Sequence, residues 1–290
     1  MILLGMTLRK TGFLKKEDFH VVSRLVINVT MPCAIITNLA GKTFDISMLL
    51  MTATGLLFGL AMAGVTSFLY RKSDRGTRAF SVINTGGCNV TNFALPLISG
   101  FLGPEAIMAA SLFDAGNSFP CLGGNYSFGR MIKYGAGFSF RTLGKTLSRS
   151  FPFVSYIVMF VLSLLHISLP SPVVTLTGMI GNANVFMAML MLGIGFNLKL
   201  GTRKRKNLIQ VLLIRYGVAT LASLLLYFIL PLPLAWRQTA VLLFFSPVSS
   251  AAPSYTEKLE EDYELASVVN SFSILISIIV MTGLLMIMHG

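Results

Sequence analysis

Apolar stretches of bilayer-spanning length recur along this chain, separated by short polar connections. Charge-free runs cover Ile46–Tyr70, Ala79–Pro104, Ser150–Leu198, Gln238–Thr256 and Leu265–Gly290. About 20 apolar residues, rising ~1.5 Å each as a helix, cross a hydrocarbon core of about 30 Å. Divided at their polar connections, the runs predict ten helices. The first, Met1–Leu8, is incomplete and reaches only about 12 Å; either its start is misassigned or truncated, or half a helix has been lost. The others fall at residues 19–40, 46–70, 77–102, 104–128, 151–168, 171–198, 207–230, 236–256 and 262–288. The fold class expected is an all-α polytopic membrane protein.

Two spans depart from the apolar pattern. The fourth carries Asn89-Val90-Thr91-Asn92-Phe93-Ala94-Leu95-Pro96, and the ninth carries Ser246-Pro247-Val248-Ser249-Ser250-Ala251-Ala252-Pro253. A backbone N–H or C=O freed in hydrocarbon costs several kcal/mol unless protein, water or a ligand satisfies it. Broken helices at matching places in two halves of a chain point to the central binding site of a secondary transporter. Further echoes support matching halves: Ala94-Leu95-Pro96 against Ala251-Ala252-Pro253, and Asn117-Ser118-Phe119 against Asn270-Ser271-Phe272.

Composition agrees with the class: hydrophobic residues make up 54% and charged residues 12%, against roughly 25% charged in a soluble domain, with a mean hydropathy of +0.76. A net charge of +12 would suit nucleic acid, but its distribution excludes that partner. The Lys and Arg residues cluster between the apolar runs: Arg9, Lys10, Lys15 and Lys16; Arg71, Lys72, Arg75 and Arg78; Arg130, Lys133, Arg141, Lys145 and Arg149; and Lys199, Arg203, Lys204, Arg205 and Lys206. The connections in between hold Lys42 and Arg237. Such alternation follows the positive-inside rule and places the basic loops in the cytoplasm, with both termini outside. The acidic connection Glu257–Glu264 falls on the same, cytoplasmic side. Ten spans then divide as a first five-helix repeat (1–128), a basic cytoplasmic loop (129–150) and a second repeat (151–290). An odd number of spans per half inverts the second half relative to the first.

The candidate chemistry lies at the interruptions. Pro96 and Pro253 remove backbone donors, and the freed half-helix ends would face a shared cavity where positive dipole ends favour a carboxylate. Asn89, Thr91 and Asn92 hydrogen-bond without carrying charge; the competing role is interhelical packing. Asn117, Ser249 and Ser250 are further candidate substrate contacts, with Ser246 and Ser254 nearby. Asp114 is the acidic residue well inside a span, and intramembrane carboxylates often lie on proton or ion paths; the alternative is a permanently hydrogen-bonded Asp, with Asn117 one turn along. Arg24 and Arg215 lie near helix ends, where long side chains snorkel to the interface; Arg215 is also a possible anchor for an anion. Asn28, Asn182 and Asn184 suit structural hydrogen bonds, and Met187–Met191 adaptable packing. Cys33, Cys88 and Cys121 lie inside spans and suit apolar packing rather than disulfides. No metal site, cofactor motif, nucleotide loop or catalytic triad is apparent, and the chain is not expected to be an enzyme.

At these residues the sequence resembles the auxin efflux carrier family of permeases, which includes plant auxin exporters and bacterial permeases assigned to malate or malonate. The resemblance runs through Gly5–Lys10, Ser23–Pro32, Asn89–Pro96, Leu112–Asn117 and Gly123–Tyr126, and later through Gly181–Asn184, Leu192-Gly193 and Arg215. It implies a ten-helix inverted repeat whose fourth and ninth helices unwind at their prolines and cross. It also implies an elevator-type division into a scaffold (helices 1, 2, 6, 7) and a transport part (helices 3–5, 8–10), and pairing of two copies through the scaffold. The implied substrate is a small organic anion, driven by protons or membrane potential across the cytoplasmic membrane. The chain departs from the family at Phe186, where a proline is usual, and after Arg215, where another is missing. Cation/proton antiport is the rival transport reading, weakened by Asp114 standing alone. A non-transporting paralogue or sensor is the rival from another class.

Overall fold

A computed structural model describes residues 1–15, 17–42, 46–99, 101–135, 140–196, 204–229 and 231–289. Lys16, Lys199 and Arg203 of the basic clusters lie outside the described residues. The molecule is helical throughout, and among the described residues the β-structure is one isolated antiparallel bridge, Cys88 to Val248. In chain order the helices are α1 (Ile2–Lys10), α2 (Asp18–Leu39), α3 (Ile46–Leu69), α4 (Arg75–Thr85), α5 (Val90–Ser99), α6 (Pro104–Phe119), α7 (Asn125–Tyr134), α8 (Phe140–Ser148), α9 (Phe151–Leu164), α10 (Ser171–Gly195), α11 (Arg205–Ile229), α12 (Leu234–Phe244), α13 (Ala252–Lys258) and α14 (Tyr263–His289). Five of them, α2, α3, α10, α11 and α14, are long and apolar enough to cross a membrane, and α5 and α9 are shorter apolar helices. The chain is a multi-pass membrane protein.

Local chemistry sets the ends of these helices. Pro104, Pro152 and Pro172 occupy first-turn positions, where a missing N–H costs nothing. Asp74 caps α4 by accepting the Thr77 N–H at 2.8 Å. That bond holds the Asp74 carboxyl below its usual value. At the same end of the molecule Lys133 pairs with Glu261 at 2.9 Å, and the hydrogen bond to that carboxylate raises the ammonium's pKa.

Glycines bring the helices together. A Cβ on Gly116 would stand 1.9 Å from the Thr52 carbonyl oxygen, and one on Gly55 would stand 2.0 Å from that of Phe113. Helices α3 and α6 therefore pack backbone to backbone, the arrangement small residues permit inside membranes. The same device seats α1 against α10, where a Cβ on Gly193 would meet the Ile2 carbonyl at 2.2 Å. Helix α10 runs unbroken through Phe186, the position that lacks a proline.

Both predicted interruptions are present, but they are placed differently from the unwinding at Pro96 and Pro253 that the resemblance implies. The first break spans 86–89, at Gly86-Gly87, with Gly87 at φ +83. Glycine reaches that conformation without a Cβ clash. Pro96 lies inside α5, beyond a wide π-turn over Val90–Ala94. The second break spans 245–251 and contains Pro247, while Pro253 sits in the first turn of α13. Both downstream prolines therefore belong to the resumed helices.

Candidate functional site

The two breaks lie against each other. Cys88 and Val248 form the antiparallel bridge, and the Asn89 N–H donates to the Pro247 carbonyl at 2.9 Å. Each break is also held by an asparagine from a later helix. The Asn117 amide grips both backbone groups of Cys88, accepting its N–H at 2.9 Å and donating to its carbonyl at 2.8 Å. Asn270 donates to the carbonyls of Val248 at 2.9 Å and Ser249 at 3.3 Å. The echo between Asn117-Ser118-Phe119 and Asn270-Ser271-Phe272 thus corresponds to two matching clamps.

Asp114 is buried and accepts three hydrogen bonds: from the Thr91 hydroxyl, from Asn117 Nδ2 at 2.9 Å and from the Tyr156 hydroxyl at 3.1 Å. An ionised carboxylate is an acceptor only, so three donors suit it. Thr91 and Asn117 therefore spend polar atoms within the protein. Tyr156 lies in the middle of an apolar run and was missed as a site residue; its hydroxyl within that run was the available signal.

Arg215 does not snorkel. Its side chain is completely buried, and the guanidinium donates to backbone carbonyls of both breaks: Thr85 and Gly87 (3.1 Å) on one side, Ser246 (2.5 Å) and Pro247 (3.0 Å) on the other. It lies outside the lining of the cavities described below. Arg24, by contrast, is exposed. Asn184 is buried and bridges Thr30 and the Thr91 carbonyl, whereas Asn28 and Asn182 are exposed.

A small cavity of about 40 Å³ sits at the meeting of the breaks, lined among others by Asn89, Thr91, Asn92, Asp114, Ser249 and Ser250. Asn89 Nδ2 and Asn92 Oδ1 are buried there without a hydrogen-bond partner among the described residues. Buried polar atoms are satisfied in the great majority of cases, so a free donor and a free acceptor on one cavity mark a place for a ligand. Asn92 Nδ2 reaches Ser250 Oγ at 3.3 Å, tying the two breaks across the cavity.

Larger cavities flank it. One of about 300 Å³ contains Ser250, Pro253, Ser254 and Asn270, together with the acidic Glu17, Glu257 and Glu264. Another of about 190 Å³ contains Thr91, Pro96 and Asn182. Ser250 and Thr91 are each shared with the central cavity, which therefore adjoins both. The centre offers uncharged amides and hydroxyls beside the hydrogen-bonded Asp114 carboxyl; among the described residues no group of His, Cys, Asp or Glu is placed to hold a metal.

A family model described as "Membrane transport protein" matches residues 1–122, a stretch that includes α4, α5 and α6 with Asn89, Asp114 and Asn117. An uncharacterized transporter from Methanothermobacter thermautotrophicus is 27% identical over 122 residues. That match covers 41% of this chain and 40% of the relative, so the chain spans about two-fifths of the curated relative's length.

Proposed function

We propose that this chain is a secondary transporter that carries a small organic anion across the cytoplasmic membrane, with the meeting point of the two interrupted helices as its binding site. The observation that carries this reading is the pair of unpartnered groups, Asn89 Nδ2 and Asn92 Oδ1, on the central cavity. A carboxylic acid would accept from the Asn89 amide and lie near the positive end of α5. Ser249 and Ser250 would complete its shell, with Pro96 and Pro253 shaping the approaches. Uncharged donors, with the Asp114 carboxyl already occupied by three partners, would hold an anion loosely enough to release it on the far side. The central cavity of about 40 Å³ is sized for water, so substrate arrival requires the breaks to part, and the 300 Å³ cavity, which shares Ser250 with it, offers one route.

The inverted repeat, 1–128 against 151–290 across the basic cytoplasmic loop 129–150, is part of the same proposal. It draws support from the paired clamps at Cys88 and Val248. Elevator motion of sequence-predicted spans 3–5 and 8–10 past a scaffold of spans 1, 2, 6 and 7 would have to break the bond between Tyr156 in the sixth span and Asp114 in the fifth. Protonation of Asp114 would weaken that bond, because loss of the negative charge turns a charge-assisted hydrogen bond into a neutral one. Asp114 would thereby couple transport to protons. Asp114→Asn is expected to keep substrate binding and to lose pH-gradient-driven flux; unchanged dependence on the gradient removes Asp114 from that role. Pairing of two copies through the scaffold belongs to the proposal as well.

The acidic lining of the larger cavity is the one observation that favours cation exchange instead. Reconstitution in liposomes distinguishes the two readings. Counterflow of labelled malate, malonate, lactate, pyruvate or indole-3-acetate that disappears in Asn89→Ala supports the anion carrier. Na⁺ or K⁺ flux against a pH gradient, with no acid transported, supports the exchanger. Silence in both assays with folded protein favours a non-transporting paralogue.

A further inference from the structure

We propose that Arg215 is a built-in cation, whose guanidinium occupies the position between the two breaks that an exchangeable monovalent cation would otherwise fill. Four backbone carbonyls converge on it: Thr85 and Gly87 at the C-terminal end of α4, and Ser246 and Pro247 just beyond that of α12. In other transporters with interrupted helices, such carbonyls and half-helix C-termini coordinate Na⁺ or a proton. Each helix C-terminus carries roughly half a negative charge, so the two together offset about one positive charge. Arg215 is 0% exposed and has no carboxylate within ion-pair distance among the described residues. Its charge is therefore balanced by the helix ends themselves, with Nη2 also 3.7 Å from the Cys88 sulfur.

Two consequences follow. The breaks are held in register by a permanent covalent part of the chain, so no Na⁺ or K⁺ is needed to assemble the site. The carbonyl ends are also neutralised, which leaves the Asn89 side of the crossing favourable to an anion. Arg215 acts as a positioning residue; it does not line the central cavity. The bearing on coupling rests on the transport reading of this site. The carbonyl-cage claim does not, and its test reads stability, so the failure of one can be told from the failure of the other.

Thermal unfolding of the detergent-purified protein is compared in choline, sodium, potassium and guanidinium chloride at equal, non-denaturing ionic strength. The unaltered protein is expected to melt at the same temperature in all four salts. Arg215→Ala is expected to melt lower and to recover at least about 3 °C in guanidinium but not in choline, through binding to the emptied cage. Selective stabilisation by Na⁺ or K⁺ that persists when the acidic cavity carries Glu17→Gln, Glu257→Gln and Glu264→Gln together overturns the proposal. So does an Arg215→Ala protein that responds to guanidinium no more than to choline. If Arg215→Ala does not fold, Arg215→Lys and Arg215→Met separate charge from bulk. The lysine protein is expected to melt well above the methionine protein, and equal melting temperatures refute the built-in cation.

Discussion

Asn89 and Asn117 carry the same amide, and their surroundings assign them opposite tasks. Asn117 accepts the Cys88 N–H, which would otherwise be buried and unpaired, and donates to the Cys88 carbonyl alongside the Val90 N–H. Leaving that N–H unsatisfied costs about 1–3 kcal/mol, so Asn117→Ala is expected to destabilise the protein by about that amount. Asn89 Nδ2 has no partner to lose. Asn89→Ala should leave the melting temperature nearly unchanged while removing anion counterflow. A large drop in melting temperature for Asn89→Ala would show that it is structural. This division was partly legible in the sequence. Asparagines within an apolar span announce polar work, and the echo at Asn270 announced that the work is done twice. What each amide faces was not legible, because that depends on a neighbour brought close by folding. Arg215 makes the same point: its depth of about two turns fits snorkelling, and only the other break supplies the carbonyls that keep it buried.

At the level of elements, the long helices α2, α3, α10, α11 and α14 were foreseeable because bilayer length and apolarity dictate them, and the interruptions because polar clusters violate that pattern. The first site of unwinding was not, since proline draws the eye while Gly86-Gly87 makes the turn, whereas the second break, 245–251, overlaps the polar segment Ser246–Pro253. A proline in a first turn is harmless, so only the residues preceding it reveal whether a helix starts or breaks there. Close packing is equally local. Gly116→Ala would drive a methyl group into the Thr52 carbonyl and is expected to destabilise the α3–α6 pair by about 1–3 kcal/mol, as overpacking does. Gly64 lies on an exposed face of the same α3 with open space around it. Gly64→Ala should instead be neutral or stabilise by up to about 1 kcal/mol through helix propensity. Unfolding of both variants in denaturing detergent measures the contrast. The cap of α4 gives a pH signature. Asp74 is lowered by the Thr77 N–H, so its contribution is complete above the ordinary carboxylate value of about 3.9 and fades as pH falls through its folded value. Asp74→Ala should cost about 1 kcal/mol at pH 7 and progressively less as pH falls through the folded value and the native cap is protonated.

For the molecule as a whole, the open question is whether one group of helices slides past the other or the breaks merely part in place. The side chains of Asn38 on α2 and Ser111 on α6 meet at 3.5 Å, directly across the proposed boundary between scaffold and transport parts. Local gating at the breaks would leave this contact intact throughout a cycle, whereas sliding must separate it each time. Replacing both with cysteine and oxidising them to a disulfide therefore tests the motion. The elevator reading expects flux to stop on oxidation and to return on reduction, with binding of the transported acid retained in the locked form. The unaltered protein, carrying its native Cys33, Cys88 and Cys121, treated identically, sets the baseline. Full flux through the cross-linked protein would confine the motion to the crossing. In that case the Tyr156–Asp114 bond, which spans the same boundary, would be a permanent strut rather than a latch, and proton coupling through Asp114 would need another route.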